Sequence, residues 1–191
     1  VVMDPIDTIN PKKDSTLAML LAAQARGWSL QYMTQADLFV EDGEVRGHQT
    51  HVTVHNDLAH WFDLGAQRTT PLGELDVILM RKDPPFDIEY IYTTYLLEMA
   101  ARAGAAVYND PGSIRDCNEK LFALQFPQCC PPHVVSSDAD ILRGFFDTHQ
   151  DVIYKPLDGM GGSSIFHVTP EGRNVAVILD TVGTTFQETE I

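Results

Sequence analysis

The alternation of apolar and polar positions along the chain predicts a mixed α/β fold. Residues 1–3 read as a strand that Asp4-Pro5 ends. Asp14 or Ser15 can cap a helix, and Leu17, Leu20, Leu21 and Ala25 then recur at intervals of three and four as far as Gly27. That spacing lines one face of a helix. Residues 30–33 form the next strand. Strand, helix and strand in that order predict a parallel unit, since a crossover helix brings the chain back in the same direction.

Residues 38–40, the turn Glu41-Asp42-Gly43-Glu44 and the stretch from Val45 read as a hairpin, with Val52 and Val54 alternating with polar neighbours. Residues 76–80 are a short apolar run, the pattern of a central strand buried on both faces. A helix follows Pro84-Pro85 from about residue 87 to 102, with Ile91, Tyr95, Leu96 and Met99 along one side and Gly104 past its end. Residues 105–108 form another strand, broken by Asn109-Asp110-Pro111-Gly112. Residues 118–126 form a short helix, His133-Val-Val135 is extended, and Asp138 caps a helix over 139–148. Residues 152–155 and 164–168 form strands that can pair antiparallel around a glycine-rich loop. Residues 175–182 fit helix or strand equally. The expected division is an N-terminal parallel-sheet domain over 1–113 and a second α+β part over 114–191.

The chain has 191 residues, 44% of them hydrophobic and 21% charged, which suffices for a packed core. Its formal net charge of −14 repels phosphate backbones and argues against nucleic-acid binding. No apolar run reaches the roughly 20 residues that span a bilayer, so no membrane partner is expected. The first residues lack a signal peptide's basic region and apolar core. The three cysteines, Cys117, Cys129 and Cys130, make no disulfide framework, and a reducing cytoplasm fits them best. Both ends lack the usual start and stop signals, so a longer parent chain is expected.

Three segments carry candidate chemistry. The first is Lys155-Pro-Leu-Asp158-Gly-Met-Gly161-Gly-Ser-Ser164. A cation at a strand end beneath a loop of Cβ-free residues suits phosphate oxygens, because backbone N–H groups can approach an anion closely. It is neither a Walker A loop nor a dinucleotide fingerprint, and an ordinary glycine-rich connection is the plain alternative. The second is Lys120, beside a helix N-terminus that favours anions. Its plain alternative is a solvated lysine paired with Glu119 or Asp116. The third is Arg81-Lys82, directly after a strand, where ligands bind in open α/β sheets. A guanidinium there can grip a carboxylate; a local Arg–Asp pair is the alternative. His48, His51 and His55 do not read as a metal site, since residues 48 and 51 of a strand point to opposite faces.

Together the segments Val2-Met-Asp-Pro5, Lys12-Lys-Asp-Ser15, Val77-Ile-Leu-Met-Arg-Lys-Asp-Pro-Pro-Phe-Asp87, Arg115-Asp-Cys-Asn-Glu-Lys-Leu-Phe122 and Lys155-Pro-Leu-Asp-Gly-Met-Gly-Gly162 resemble the bacterial glutathione synthetases, members of the ATP-grasp ligases. The resemblance implies an N-terminal pre-ATP-grasp domain followed by the first part of an ATP-grasp domain. It implies ATP and Mg²⁺ as cofactors, γ-glutamylcysteine and glycine as substrates, and a cytoplasmic homo-oligomer, a tetramer in the family. It makes Lys120, Lys155, Asp158, Gly159, Met160, Gly161, Gly162 and Ser163 the ATP-binding residues. Arg81 is the catalytic candidate and, with Lys82, the substrate-binding one. The family's magnesium ligands are expected beyond Ile191, with none in this chain, so the chain alone is expected to be inactive. The adenine-contacting strand is expected around residues 187–191. Another ATP-grasp carboxylate–amine ligase, such as a D-alanine–D-alanine ligase, is the rival enzyme. A non-catalytic binding or assembly fragment is the rival of another class.

Overall fold

A computed structural model describes residues 1–159, 161–162, 164–172, 177–178 and 187–191. The chain divides into two compact units, Val1–Asp116 and Cys117–Ile191.

The first unit is built on parallel pairing. Val2 bridges Met33 on one side and Met80 on the other, both in parallel. Strands β5 (Val77–Leu79) and β6 (Ala106–Tyr108) extend the same sheet in parallel register. Successive residues of the Val1–Met3 segment serve opposite faces. Val2 packs with Met33, Ile78, Leu97 and Ala100, whereas Met3 packs with Ile6, Leu17, Leu20, Val52 and Val54. A strand covered on both faces in this way is the hallmark of a parallel sheet between helices. Helix α1 (Ser15–Ala25) supplies one cover; Asp14 caps it by accepting the Leu17 N–H at 2.6 Å. Helix α2 (Ile88–Arg102) supplies the other, capped by Asp87.

Three sequence expectations need correction here. In β5, Ile78 is buried but Val77 is exposed, so the apolar run is not covered throughout. In α2 the buried residues are Thr93, Thr94, Leu97 and Ala100, while Tyr95 is exposed. Two polar residues can lie inside because each hydroxyl bonds its own helix: Thr93 Oγ1 donates to the Glu89 carbonyl at 2.9 Å and Thr94 Oγ1 to that of Ile91 at 2.7 Å. Third, Pro111 does not only end β6; it opens a short helix α3 (Pro111–Asp116) whose first turn donates to Asp110, with Ser113 N–H at 2.7 Å from the carboxylate.

An antiparallel sheet adjoins this core. Strand β2 (Leu38–Glu41) and β3 (Glu44–Val54) form the expected hairpin, with Asp42 and Gly43 both at positive φ. That pair of left-handed residues matches the twist of the two strands. β1 (Gln31–Tyr32) and β4 (Phe62–Pro71) flank β3. The β3–β4 ladder shifts register between Thr50 and Val52. Burial accordingly moves from Val45, Gly47 and Gln49 to Val52 and Val54. The bulge also overturns the expected opposition of His48 and His51, which are both exposed.

In the second unit α4 (Glu119–Ala123) is capped by Asn118, whose side chain accepts from Lys120 and Leu121 N–H. Strands β7 (His133–Ser136), β8 (Val152–Pro156), β9 (Phe166–Val168) and β10 (Gln187–Glu190) make an antiparallel sheet in the order β7-β10-β8-β9. Helix α5 (Ala139–His149) lays Leu142 and Phe146 on Val152, Tyr154 and Val168. The Tyr154 hydroxyl donates to the Leu142 carbonyl at 2.9 Å, and burial pushes its pKa up to about 12. The stretch 175–182 lies outside the described residues except for Val177 and Ile178.

Candidate functional site

In the second unit the cap of α4 and the glycine-rich loop meet. Asn118 Oδ1 accepts the Lys120 N–H at 3.0 Å while Asn118 Nδ2 donates to the Leu157 carbonyl at 3.1 Å. One side chain therefore closes the helix and ties it to the loop. Lys120 Nζ follows the same path, donating to Gly159 O at 3.0 Å and to Leu157 O at 3.4 Å. It also pairs with Glu119 at 3.1 Å, as the plain reading of this lysine expected, but its side chain is only 11% exposed. A solvated surface lysine would not be so covered.

Lys155 leaves β8 towards β10 and pairs with Glu190. Lys120, Lys155, Glu188, Glu190, His133 and Cys130 line one cavity of about 360 Å³. Glu188 is buried there, and desolvation raises its carboxyl pKa against the lowering effect of Lys155. The cavity thus presents two ammonium groups, each already engaged by protein oxygens that an incoming anion would have to replace. The loop after β8 carries Gly161 at φ 62° and Gly162 at φ 81°. A Cβ added at either would meet nothing within 4 Å, so the left-handed backbone, not crowding, favours glycine there. Asp158 is exposed and Gly159 half-buried. Met160 and Ser163 lie outside the described residues.

The first unit holds a second group. Arg81 follows β5, and its backbone N–H donates to Val2 O at 2.7 Å. Its guanidinium reaches the first turn of α1: Nε donates to Thr16 Oγ1 at 3.1 Å and Nη2 to Ser15 Oγ at 2.9 Å. Lys82 pairs with Asp4 at 2.9 Å, and the other Asp4 oxygen accepts the Asp83 N–H at 2.8 Å. The local acid therefore belongs to Lys82, and Arg81 binds hydroxyls instead. Asp4, Asn10, Lys13, Thr16 and Arg81 line a cavity of about 370 Å³. A cation held at a helix N-terminus is a natural seat for a carboxylate.

Sequence reasoning did not name Ser15, Thr16 and Asp4 as partners of this pair, nor Glu188 and Glu190 as cavity walls. Arg115 has a structural role: it pairs with Glu98 at 2.6 Å, donates to Thr94 Oγ1 at 3.0 Å and lies 4.4 Å over the Tyr95 ring, fastening α3 to α2. The three cysteines are free thiols. Among the described residues no helix is long and apolar enough to cross a membrane.

Solved structures place this architecture in a class. The D-cycloserine synthetase DcsG aligns with 99% of this chain and 57% of its own at a TM-score of 0.59 and 12% identity. A structure of the ATP-grasp ligase PsnB, complexed with a phosphomimetic precursor variant, Mg and ADP, aligns with 99% and 63% at a TM-score of 0.56 and 17% identity. Such identities speak for the fold alone, and it is the fold of ATP-grasp ligases. Within it, the chain belongs to the prokaryotic glutathione synthetase family: residues 1–115 match the family's N-terminal domain and residues 119–191 its ATP-grasp domain. The glutathione synthetase of Pseudomonas aeruginosa is 62% identical over 182 residues, covering 95% of this chain and 57% of the relative. That of Escherichia coli K12 is 50% identical, covering 95% and 58%. The chain thus spans a little over half the length of these relatives.

Proposed function

We propose that this chain takes part in the ATP-dependent ligation of γ-glutamylcysteine and glycine to glutathione. The observation that carries this reading is the meeting of Lys120 and Lys155 in one cavity, with Lys120 bonded to Gly159 of the glycine loop. In the proposed reaction a carboxylate oxygen of γ-glutamylcysteine attacks the γ-phosphorus of ATP and ADP leaves. The glycine amine then attacks the acyl carbon and phosphate leaves. Such chemistry asks a protein mainly for positioning and charge neutralisation. Lys120 and Lys155 would hold the phosphate oxygens, with Asp158, Gly159, Met160, Gly161, Gly162 and Ser163 as the covering loop. Keeping water from the acyl phosphate is the work of such a loop. Arg81 would take a carboxylate of the dipeptide, with Lys82 beside it.

Magnesium, which neutralises phosphate charge, takes carboxylate and water ligands. Glu190 is committed to Lys155, and Glu188 is buried, where desolvation raises its carboxyl pKa. The described residues of this cavity therefore do not fit a magnesium site. A cytoplasmic location and a homo-oligomer belong to the same proposal. So does a domain boundary near residue 113. Calorimetric titration of the chain with ATP, γ-glutamylcysteine and D-alanine tests the reading. Binding of the first two without D-alanine is expected; binding of D-alanine in place of γ-glutamylcysteine would favour a different ligase and overturn it.

A further inference from the structure

The open end of the β3–β4 ladder sets three metal-binding side chains together. Thr53 faces Asp63 and Val54 faces Phe62 in register. One residue beyond, the His55 N–H donates to the Trp61 carbonyl at 2.9 Å. The Trp61 indole N–H donates to Ile6 O at 2.9 Å, anchoring the connection to the body of the unit. Asp57 accepts the Ala59 N–H at 2.8 Å and tightens the turn between. On this frame His55 Nε2 lies 2.8 Å from Asp63 Oδ2, and His60 Nε2 lies 3.1 Å from Asp63 Oδ1. The two imidazoles stack with centroids 5.3 Å apart.

We propose that His55, His60 and Asp63 form a binding site for a divalent transition-metal ion such as Zn²⁺ or Ni²⁺. Two imidazole nitrogens and one carboxylate oxygen are three of the four ligands such an ion commonly takes, and water can supply the rest. Bonds of about 2.0–2.1 Å set neighbouring ligand atoms roughly 3.3–3.4 Å apart around a tetrahedral ion. Measured to the oxygen each histidine now contacts, the separations need to open by about 0.5 Å for His55 and about 0.3 Å for His60, and all three ligand atoms already lie within 4.8 Å of one another. The side chains are 37%, 62% and 59% exposed, which leaves coordination positions open to water. Magnesium does not suit this donor set, because it prefers oxygen ligands in octahedral geometry. The site is therefore distinct from any ion that accompanies nucleotide phosphates. Its ligands come from both sides of the connection, so the ion would clamp the end of the hairpin. His48 and His51, on the same strand, belong to no such group among the described residues.

The test is calorimetric titration of the chelator-treated full chain with ZnCl₂, NiCl₂ and MgCl₂. Saturable one-site binding of zinc or nickel and none of magnesium is expected. Asp63→Asn and His60→Ala should each weaken binding about tenfold or more, given that even indirect partners of metal ligands cost that much; His48→Ala should leave it within about twofold. Because thiolates also take zinc, the double variant Cys129→Ser/Cys130→Ser is measured alongside. Binding that survives Asp63→Asn and His60→Ala but not the loss of the thiols places the ion elsewhere and overturns the proposal, as does the absence of saturable binding. His60 and Asp63 are exposed and Asn copies the shape of Asp, so loss of folding does not stand in for loss of binding.

Discussion

Replacing Lys120 with methionine separates its binding role from its structural one. The substitution keeps an unbranched apolar stem and removes the charge and its donors. In the folded chain Nζ donates to Gly159 O at 3.0 Å, Leu157 O at 3.4 Å and Glu119 at 3.1 Å. Leu157 O retains Asn118 Nδ2 at 3.1 Å, and Gly159 lies in a half-exposed loop where water can replace the lost donor. Glu119 is 76% exposed, so its ion pair is worth at most about 1 kcal/mol. The expected destabilisation is about 1 kcal/mol, a melting shift of roughly 4–8 °C for a unit of this size. The phosphate contact is a different matter. A hydrogen bond from a charged donor contributes about 1.5–3 kcal/mol, which is roughly 10- to 150-fold in Kd. Calorimetric titration with ATP and ADP, paired with thermal unfolding of both proteins, reads the two effects separately. Nucleotide affinity within twofold of the unaltered chain would refute the assignment of Lys120. Failure of the unaltered chain to bind nucleotide would refute the assignment of the cavity itself.

Glu190→Gln releases Lys155 from its competing carboxylate; both side chains are about one-fifth exposed, and at about 1 kcal/mol for the pair ATP affinity should rise about fivefold in the same titration. Gly73→Ala should destabilise the first unit by about 1–3 kcal/mol in denaturant unfolding, because the new Cβ would lie 2.7 Å from Ala103 Cβ and 2.9 Å from its carbonyl oxygen, and that backbone closes α2. Glu188, with a carboxyl pKa raised by burial, binds its proton more tightly folded than unfolded; its contribution to stability should therefore fall as pH rises from the unfolded pKa through the folded one. Glu188→Gln should flatten that pH dependence in unfolding measurements across the acidic range. Glu98 works in the opposite sense: hydrogen bonds from Arg115 and Arg102 lower its pKa, so the stability it contributes is present above the unfolded pKa and lost as pH falls through the folded one. Glu98→Gln should remove that acid-side loss in the same measurements.

The elements that announced themselves in the sequence share a physical signature. α1 and α5 each bury one face and begin at an acidic cap, Asp14 or Asp138, and the Asp42-Gly43 turn specifies its own hairpin. Strand β4 gave no such signal. Most of its residues are exposed, so selection for burial never imprinted an alternation on them; pairing with β3 and the packing of Phe62 keep the strand in place. The polar strand β10 was legible only through the family resemblance, not from hydropathy, because Gln187, Glu188 and Thr189 are buried in the middle of a sheet where apolar residues are the usual occupants. The face of α2 was misjudged for a related reason: its buried threonines satisfy their hydroxyls within the helix, which hydropathy cannot register. For the site, the cations could be picked out from residue type and position. Their partners could not, since Lys120 meets the loop across 39 residues and Arg81 meets α1 across 65.

Those partners define what binding must overcome. Neither Lys120 nor Lys155 waits as a bare charge; each is held by oxygens of the same fold, carbonyls of the loop in one case and the Glu190 carboxylate in the other. A chain with net charge −14 repels a polyanion at long range, so the local cations must compensate for a field that opposes them. Holding Lys120 against Gly159 O couples the loop to the cation that the phosphate would take. Binding that draws Lys120 away would also free the loop carbonyl, so loop movement and phosphate capture become one event instead of two. Lys155 has no such link among its described contacts; its partner is a side chain of β10, in a sheet whose register leaves little room for adjustment. Phosphate should therefore act on the loop through Lys120 and on the sheet through Lys155. Only substitution of the first is expected to alter the exposure of Gly161 and Gly162 when nucleotide binds.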